Sequence, residues 1–316
     1  MSIQLRYKED FSEGLKRLMV EECETALKYL RKSDTEEEQH KAVHESRKAF
    51  KKIRACLRLV RDHIDFYDRE NKWFRDLGRK VSDVRDLTAH LETLEVLETQ
   101  YESQLYKKSF QDLEKGIHAS RDQLAEKVFG EDNRLEEIQQ KVEAKIDEIP
   151  DWSIDVQQFK DIRPSLKRTY KRGYKGLKNV AKTGEVEDFH DWRKRVKYLR
   201  YHIDILNRLW PQVMDVLEEE LHDITDYTGT LHDLHNLKIL AQELEKPFSD
   251  TEERMLFEAM LEKHQDFMRK HTLLKAQKFY YDSPSDFCDR IKLWWKAHQQ
   301  EVENSSLPRT EELETT

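Results

Sequence analysis

The chain of 316 residues carries 56 Lys and Arg against 64 Asp and Glu, a formal net charge of −8, and is 37% apolar. Apolar residues recur at helical spacing through most of it, which excludes a wholly disordered chain, and no run approaches the ~18 apolar residues of a membrane span. Cys23, Cys56 and Cys288 lie far apart, which excludes a disulfide framework or cysteine zinc site; because MSIQLRYKED lacks the apolar run of a signal peptide, a cytoplasmic protein is expected.

Only 8 Gly and 6 Pro punctuate the sequence, while Leu, Glu, Lys, Arg and Gln abound, so an all-α fold is expected. A first helix runs from about Phe11 to the break at Ser33-Asp34, a second from Glu36 to about Asp65 and a third from near Glu70 to Thr99. Helical pattern continues to about Ile146. The stretch EIPDWS, residues 148–153, marks the expected boundary between two units, 1–150 and 151–303. Helix starts follow near Pro164, Glu185, Pro211, Ser249 and Ser283, and the acidic stretch NSSLPRTEELETT, residues 304–316, reads as a disordered tail.

The two units echo each other. His44-x-x-Arg47-Lys48-x-x-Lys51 returns 146 residues later as His190-x-x-Arg193-Lys194-x-x-Lys197, continuing from Arg54 to Arg200. Val84-Arg85-Asp86-Leu87 is echoed by Leu231-His232-Asp233-Leu234, and Leu15-Lys16-Arg17 by Leu166-Lys167-Arg168. Three echoes in one order predict an internal duplication: two pseudo-symmetric four-helix bundles.

On a helical wheel, Phe50, Ile53, Leu57, Val60 and Ile64 form the core stripe of the second helix. Beside it His40, His44, Arg47, Lys51, Arg54, Arg58 and Arg61 form a second stripe, with His44 and Arg58 about 21 Å apart along the axis. The later copy places His190, Arg193, Lys197 and Arg200 beside Trp192, Val196, Leu199, Ile203 and Leu206, and Asp204 and Asn207 shorten it. A third basic face joins Lys167, Arg168, Lys171, Arg172, Lys175 and Lys178, opposite Leu166, Tyr170, Gly173 and Leu177. Solvated helix faces normally alternate sign, because like charges at i,i+4 repel. Residues 47–61, 163–178 and 193–200 contain 19 basic residues and no acid. Segregation of that kind points to a polyanionic ligand.

The duplicated H-x-x-R-x-x-x-K-x-x-R, each copy followed by an Arg-Asp or His-Asp motif, resembles the conserved histidine α-helical domain, the CHAD family, over nearly the whole chain outside the tail. The resemblance implies paired helical bundles with a basic central channel that binds inorganic polyphosphate. It implies His44, Arg47, Lys48, Lys51, Arg54 and Arg58, then His190, Arg193, Lys194, Lys197 and Arg200, as ligand-binding positions, with Arg168, Lys171 and Arg172 matching the family's basic segment. Family members often adjoin a triphosphate tunnel domain marked by E-x-E-x-K. That string is absent here, and the nearest, Glu243-Leu-Glu245-Lys246, has its lysine one place early. A stand-alone, non-catalytic binding domain with no cofactor or metal is therefore expected.

Two rival readings remain. Single-stranded nucleic acid also offers a row of phosphates, but its sites usually add stacking aromatics and a pI above 9. The pI here is about 6.0, and Tyr170, Tyr174 and Trp192 fall towards apolar faces. His190-Asp191, His222-Asp223 and His232-Asp233 resemble the pairs of helical metal-dependent phosphohydrolases. On the helix through 221–235, however, His222 and Asp233 point away from the core face, with Asp223 about 80–100° from both at the helical period. His44 and His190 either cap or bridge within the bundles or donate to phosphate; their shared register with the arginines favours phosphate. Asp86 and Asp233 are expected to orient the basic side chains.

Overall fold

The computed structural model describes residues 2–33, 35–80, 82–105, 109–125 and 134–305. These residues are all-α, with no strand among them. The helices are α1 Phe11–Leu30, α2 Glu36–Leu59, α3 Tyr67–Arg79, α4 Ser82–Gln100, α5 Gln111–Ala125, α6 Arg134–Glu148, α7 Phe159–Thr183, α8 Val186–Ile205, α9 Pro211–Glu243, α10 Thr251–Phe279 and α11 Pro284–Asn304. From residue 306 on, the expected tail lies outside the described residues, as do the side chains of Val84, Arg85, Asp86 and Leu87.

Local chemistry sets most of the helix ends. Asp10 accepts from the backbone N–H groups of Ser12 and Glu13 to open α1, and Thr35 with Glu38 forms a capping box on α2. Ser283 caps α11 and Asp250 caps α10, while Gly184, at φ 69°, ends α7 in the left-handed conformation. Two expectations shift. The helix expected from Pro164 begins at Phe159 and runs through the proline, because Asp161 accepts from the backbone N–H groups of Gln157 and Gln158. The helix expected over 70–99 is divided into α3 and α4, which together take the place against α2 that the unbroken α9 takes against α8.

Neighbour relations repeat between the halves. α1 packs on α2 and α6 as α7 packs on α8 and α11, and α4 lies on α5 as α9 lies on α10. The halves meet where α2 crosses α8 and α4 crosses α9. One apolar core takes Phe11, Leu15, Phe50, Ile53 and Phe74 together with Tyr170, Trp192, Leu199, Phe287 and Trp295. A second core joins Leu94, Leu97 and Ile117 to Leu234, Leu237, Phe257 and Met260. α9 serves both: Met214 to Leu231 enter the first and Leu234 to Ala241 the second. All three cysteines are buried and free. Among the described residues no helix is long and apolar enough to cross a membrane.

Candidate functional site

The crossing of α2 and α8 determines where the basic stripes lie. Each helix spends one face on the core, Phe50, Ile53 and Leu57 on α2 and Trp192, Val196 and Leu199 on α8, all buried. At the crossing, His202 of α8 reaches the Ala55 carbonyl of α2, 3.2 Å from its Nε2. Burial, with Arg58 nearby, pushes this imidazole down to about 3, so the ring is neutral and its N–H donates to the carbonyl.

Beside this contact the α8 stripe is built inward. Arg193 donates from Nε to the Thr225 carbonyl on α9 at 2.9 Å. It fits because α9 presents Gly229, where a Cβ would stand 2.6 Å from the guanidinium Nη2. Burial lowers the Arg193 guanidinium from its usual range, while Asp233 and Asp226 favour its charge. One turn on, Lys197 is largely buried, with no hydrogen bond or ion pair among the described residues. Burial and repulsion from Arg193, Lys51 and Arg200 hold its ammonium well below the ordinary lysine value, and Asp226 opposes them only weakly. Lys51, from α2, therefore faces Lys197 across the seam.

The outer ends of the two stripes match as well. Arg200 donates from Nε to Glu218 at 2.5 Å, and Arg54 donates from Nε to Asn71 at 3.1 Å, partners 146 and 147 residues apart. At the inner end of α8, the His190 ring lies against His232 with centroids 3.9 Å apart and planes tilted by 37°, and its Nδ1 is buried without a hydrogen-bond partner among the described residues. Burial, then Lys194 and Arg193, lower His190; burial, then His190 and Arg193, push His232 down to about 4. In α2, Arg47 and Lys51 are half-buried whereas His44 is exposed, 3.7 Å from Glu45. Lys48 lies 3.7 Å from Glu45, and Lys194 pairs with Asp191 at 2.8 Å, both on outer faces.

The remaining positions gather elsewhere. Arg58 stacks on Tyr198 of α8 at 3.6 Å, and Arg168 of α7 grips Asp62 through both terminal nitrogens at 3.2 Å. Lys171 and Arg172 are exposed on α7. Lys52, part of the same charge run, serves the fold instead: it pairs with Glu22 at 2.6 Å in the interior. Asp204, which shortens the second stripe, turns inward and accepts from the Ile3 N–H at 2.8 Å.

The His-Asp pairs are each engaged separately. His222 binds Asp226 at 2.8 Å, Asp223 takes Lys275, Asp191 takes Lys194, and His232 lies 3.1 Å from Asn236. Sequence reasoning missed Tyr198, Thr225, Gly229 and Glu218 as parts of these clusters. Gly229, a glycine inside a long helical pattern, is the one with a readable signal, since such a glycine marks a close approach. No curated protein matches the chain in sequence. The family model described as CHAD domain matches residues 20–242, a span holding α2, α8 and nearly all of α9, and the chain belongs to the CHAD domain family.

Proposed function

We propose that the protein binds inorganic polyphosphate along the seam between α2 and α8 and does not cleave it. The observation that carries this reading is Lys197, a largely buried side chain near Arg193, Lys51 and Arg200, opposed only weakly by Asp226 and with no ion pair among the described residues. An unpaired interior cation costs stability. A phosphate chain threaded past it supplies oxygens to each of these groups, and arginine adds a planar fork that matches them. Membership of a family associated with polyphosphate binding supports the same ligand. Nucleic acid fits less well, because Tyr170 and Trp192 are buried in the core and offer no stacking face. The engagement of Asp191, Asp223 and His222 by other side chains weighs against a phosphohydrolase.

Calorimetry with long-chain polyphosphate, triphosphate and single-stranded DNA in one buffer tests the proposal. Long polyphosphate should bind tightest, and Arg193→Ala or Arg47→Ala should weaken it about tenfold or more and flatten its salt dependence. Equal affinity in both variants with an intact fold would overturn the site, and metal-dependent phosphate release lost in His222→Ala would restore the hydrolase.

A further inference from the structure

Six of the ten large apolar side chains that stand exposed among the described residues gather on one face: Trp210, Val216, Phe267, Leu274, Tyr281 and Leu293. A cleft of about 750 Å³, lined by α9, α10 and the start of α11, joins them. Val216, Leu274 and Tyr281 stand at its surface, and the half-buried Leu217 and Phe279 connect it to the larger core. At one end Arg290 lies over Trp294, 5.7 Å from the ring, and Trp294 meets Trp210 edge-on with centroids 5.5 Å apart. At the other, His271 lines the cleft and carries Phe267, with centroids 4.1 Å apart. A contiguous exposed area of this kind marks an interaction surface, whereas single exposed apolar groups do not.

The cleft is not part of the seam. At the helical period, Val216, Glu220 and Tyr227 of α9 are turned about 160–180° from Glu218, which holds Arg200. Thr225 and Gly229, which receive Arg193, fall within about 20° of Glu218. One side of α9 thus meets the cations of the seam and the opposite side forms the cleft.

Charge at this face is balanced within the chain. Lys275 pairs with Glu220 at 3.3 Å and with Asp223, and Arg290 pairs with Asp282 at 2.5 Å. With Lys278, three basic groups stand against these three acids. A strongly charged partner therefore finds no unbalanced field here, while two copies of the face can meet without like-charge repulsion. The face is also complementary to itself in shape. Tyr281, 88% exposed at the turn between α10 and α11, projects beside the cleft, so about a two-fold axis each copy offers a ring and receives one. Trp, Tyr and Arg are the side chains that anchor interfaces, and all three occur here. From Trp210 to Tyr227 α9 runs about 25 Å, and two to three helices at about 8–10 Å each give an area on the order of 600 Å², close to the ~800 Å² per partner of a stable interface.

We propose that this face, formed by α9, α10 and the start of α11 around Leu274 and Tyr281, is a two-fold interface with a second copy of this chain.

The test is sedimentation equilibrium of the full chain without polyphosphate, over about 1–100 μM. A species of twice the 38.2 kDa chain mass should dominate at the upper end. Added salt should not dissociate it, because apolar contact holds it together. Leu274→Glu/Tyr281→Glu should raise the dissociation constant about a hundredfold or more, since it places carboxylates of both copies in a closed apolar contact. Both side chains are exposed in the single copy, so its helical ellipticity should be unchanged. Met255→Glu, also exposed on α10 but about 28 Å along it from Leu274, should leave the dissociation constant within about twofold. A single copy throughout the range would overturn the proposal and leave the face to another kind of partner. A dimer undiminished in the glutamate double variant, or equal loss in Met255→Glu, would place the contact elsewhere and overturn it as well. Growth without limit beyond two copies would overturn the two-fold form, since it requires a head-to-tail contact.

Discussion

Lys197 shows how a functional demand is written against stability. Its folded-state value lies below the unfolded lysine value of 10.5, so the native chain holds fewer protons than the unfolded one as pH falls below that value. The sign follows: the burial penalty is absent above the unfolded value, grows as pH falls towards the folded one, and is full below it. Replacing the side chain by a neutral one of similar length removes the penalty. Lys197→Met is therefore expected to melt about 2–4 °C higher near neutral pH and to bind long polyphosphate more weakly. A bound phosphate chain also restores the ammonium, so binding should take up a proton. Calorimetry at a series of pH values between the histidine range and the unfolded lysine value, in buffers of different ionisation heat, should show that uptake in the unmodified chain and not in Lys197→Met. A variant that melts lower would show Lys197 to be a structural residue. At this scale the sequence disclosed the stripe of positive charge through its spacing. It did not disclose which members were spoken for: Lys52 and Lys197 belong to matching runs, yet one pairs with Glu22 in the interior and the other forms no ion pair among the described residues.

Glycines show how packing between elements governs side-chain placement. α9 carries Gly229 under the Arg193 guanidinium, and α7 carries Gly173 against the buried Tyr280 ring, where a Cβ would stand 2.2 Å from the phenol oxygen. In an ordinary helix interior either glycine replaced by alanine would gain about 1 kcal/mol. The two sites should depart from that rule in different ways. At Gly229 the obstructing atom is the tip of a flexible side chain, so Gly229→Ala should retain its melting temperature while losing about tenfold in polyphosphate affinity, as the fork of Arg193 is displaced. At Gly173 the obstacle is a fixed ring in the core, and Gly173→Ala should destabilise by about 1–3 kcal/mol. Denaturant unfolding and calorimetry on the same samples separate the two, and a destabilised Gly229→Ala would refute the distinction. Helix boundaries were readable wherever a side chain capped them, at Asp10, Thr35 and Ser283. They were misread where a local capping box started the helix upstream of a proline, as Asp161 does for α7. What stands opposite a glycine or an arginine belongs to another helix, and periodicity within one segment carries no record of it.

Across the whole molecule, the repeated motifs foretold the repeated neighbour relations of the helices but not how the apolar residues are shared. The connection at residues 148–153 is where the sequence suggests a boundary, yet the larger core crosses it. Phe11 packs against Trp295 with centroids 5.3 Å apart, and Phe159 approaches the same indole at 5.9 Å. Ile3 and Leu5 donate their backbone N–H groups to Asp204 and to the Ile205 carbonyl, and Ser12 exchanges hydrogen bonds with Val156. Residues 1–150 alone would thus expose Ile3, Leu5 and Phe11, and residues 151–303 alone would expose the other side of the same core. Burial of that shared surface couples the halves. Heat should unfold the intact chain in one transition, with ellipticity at helix and aromatic wavelengths changing together. Each fragment alone should keep helix but lose its aromatic signal and bind a hydrophobic dye, as expanded states with loose packing do. An equimolar mixture should regain the aromatic signal, and with it affinity for long polyphosphate, because Lys51 and Lys197 reach the seam from different halves. Two separate transitions, or a fragment with a native aromatic spectrum and full affinity on its own, would show that the halves are independent bundles and that one stripe suffices for the ligand.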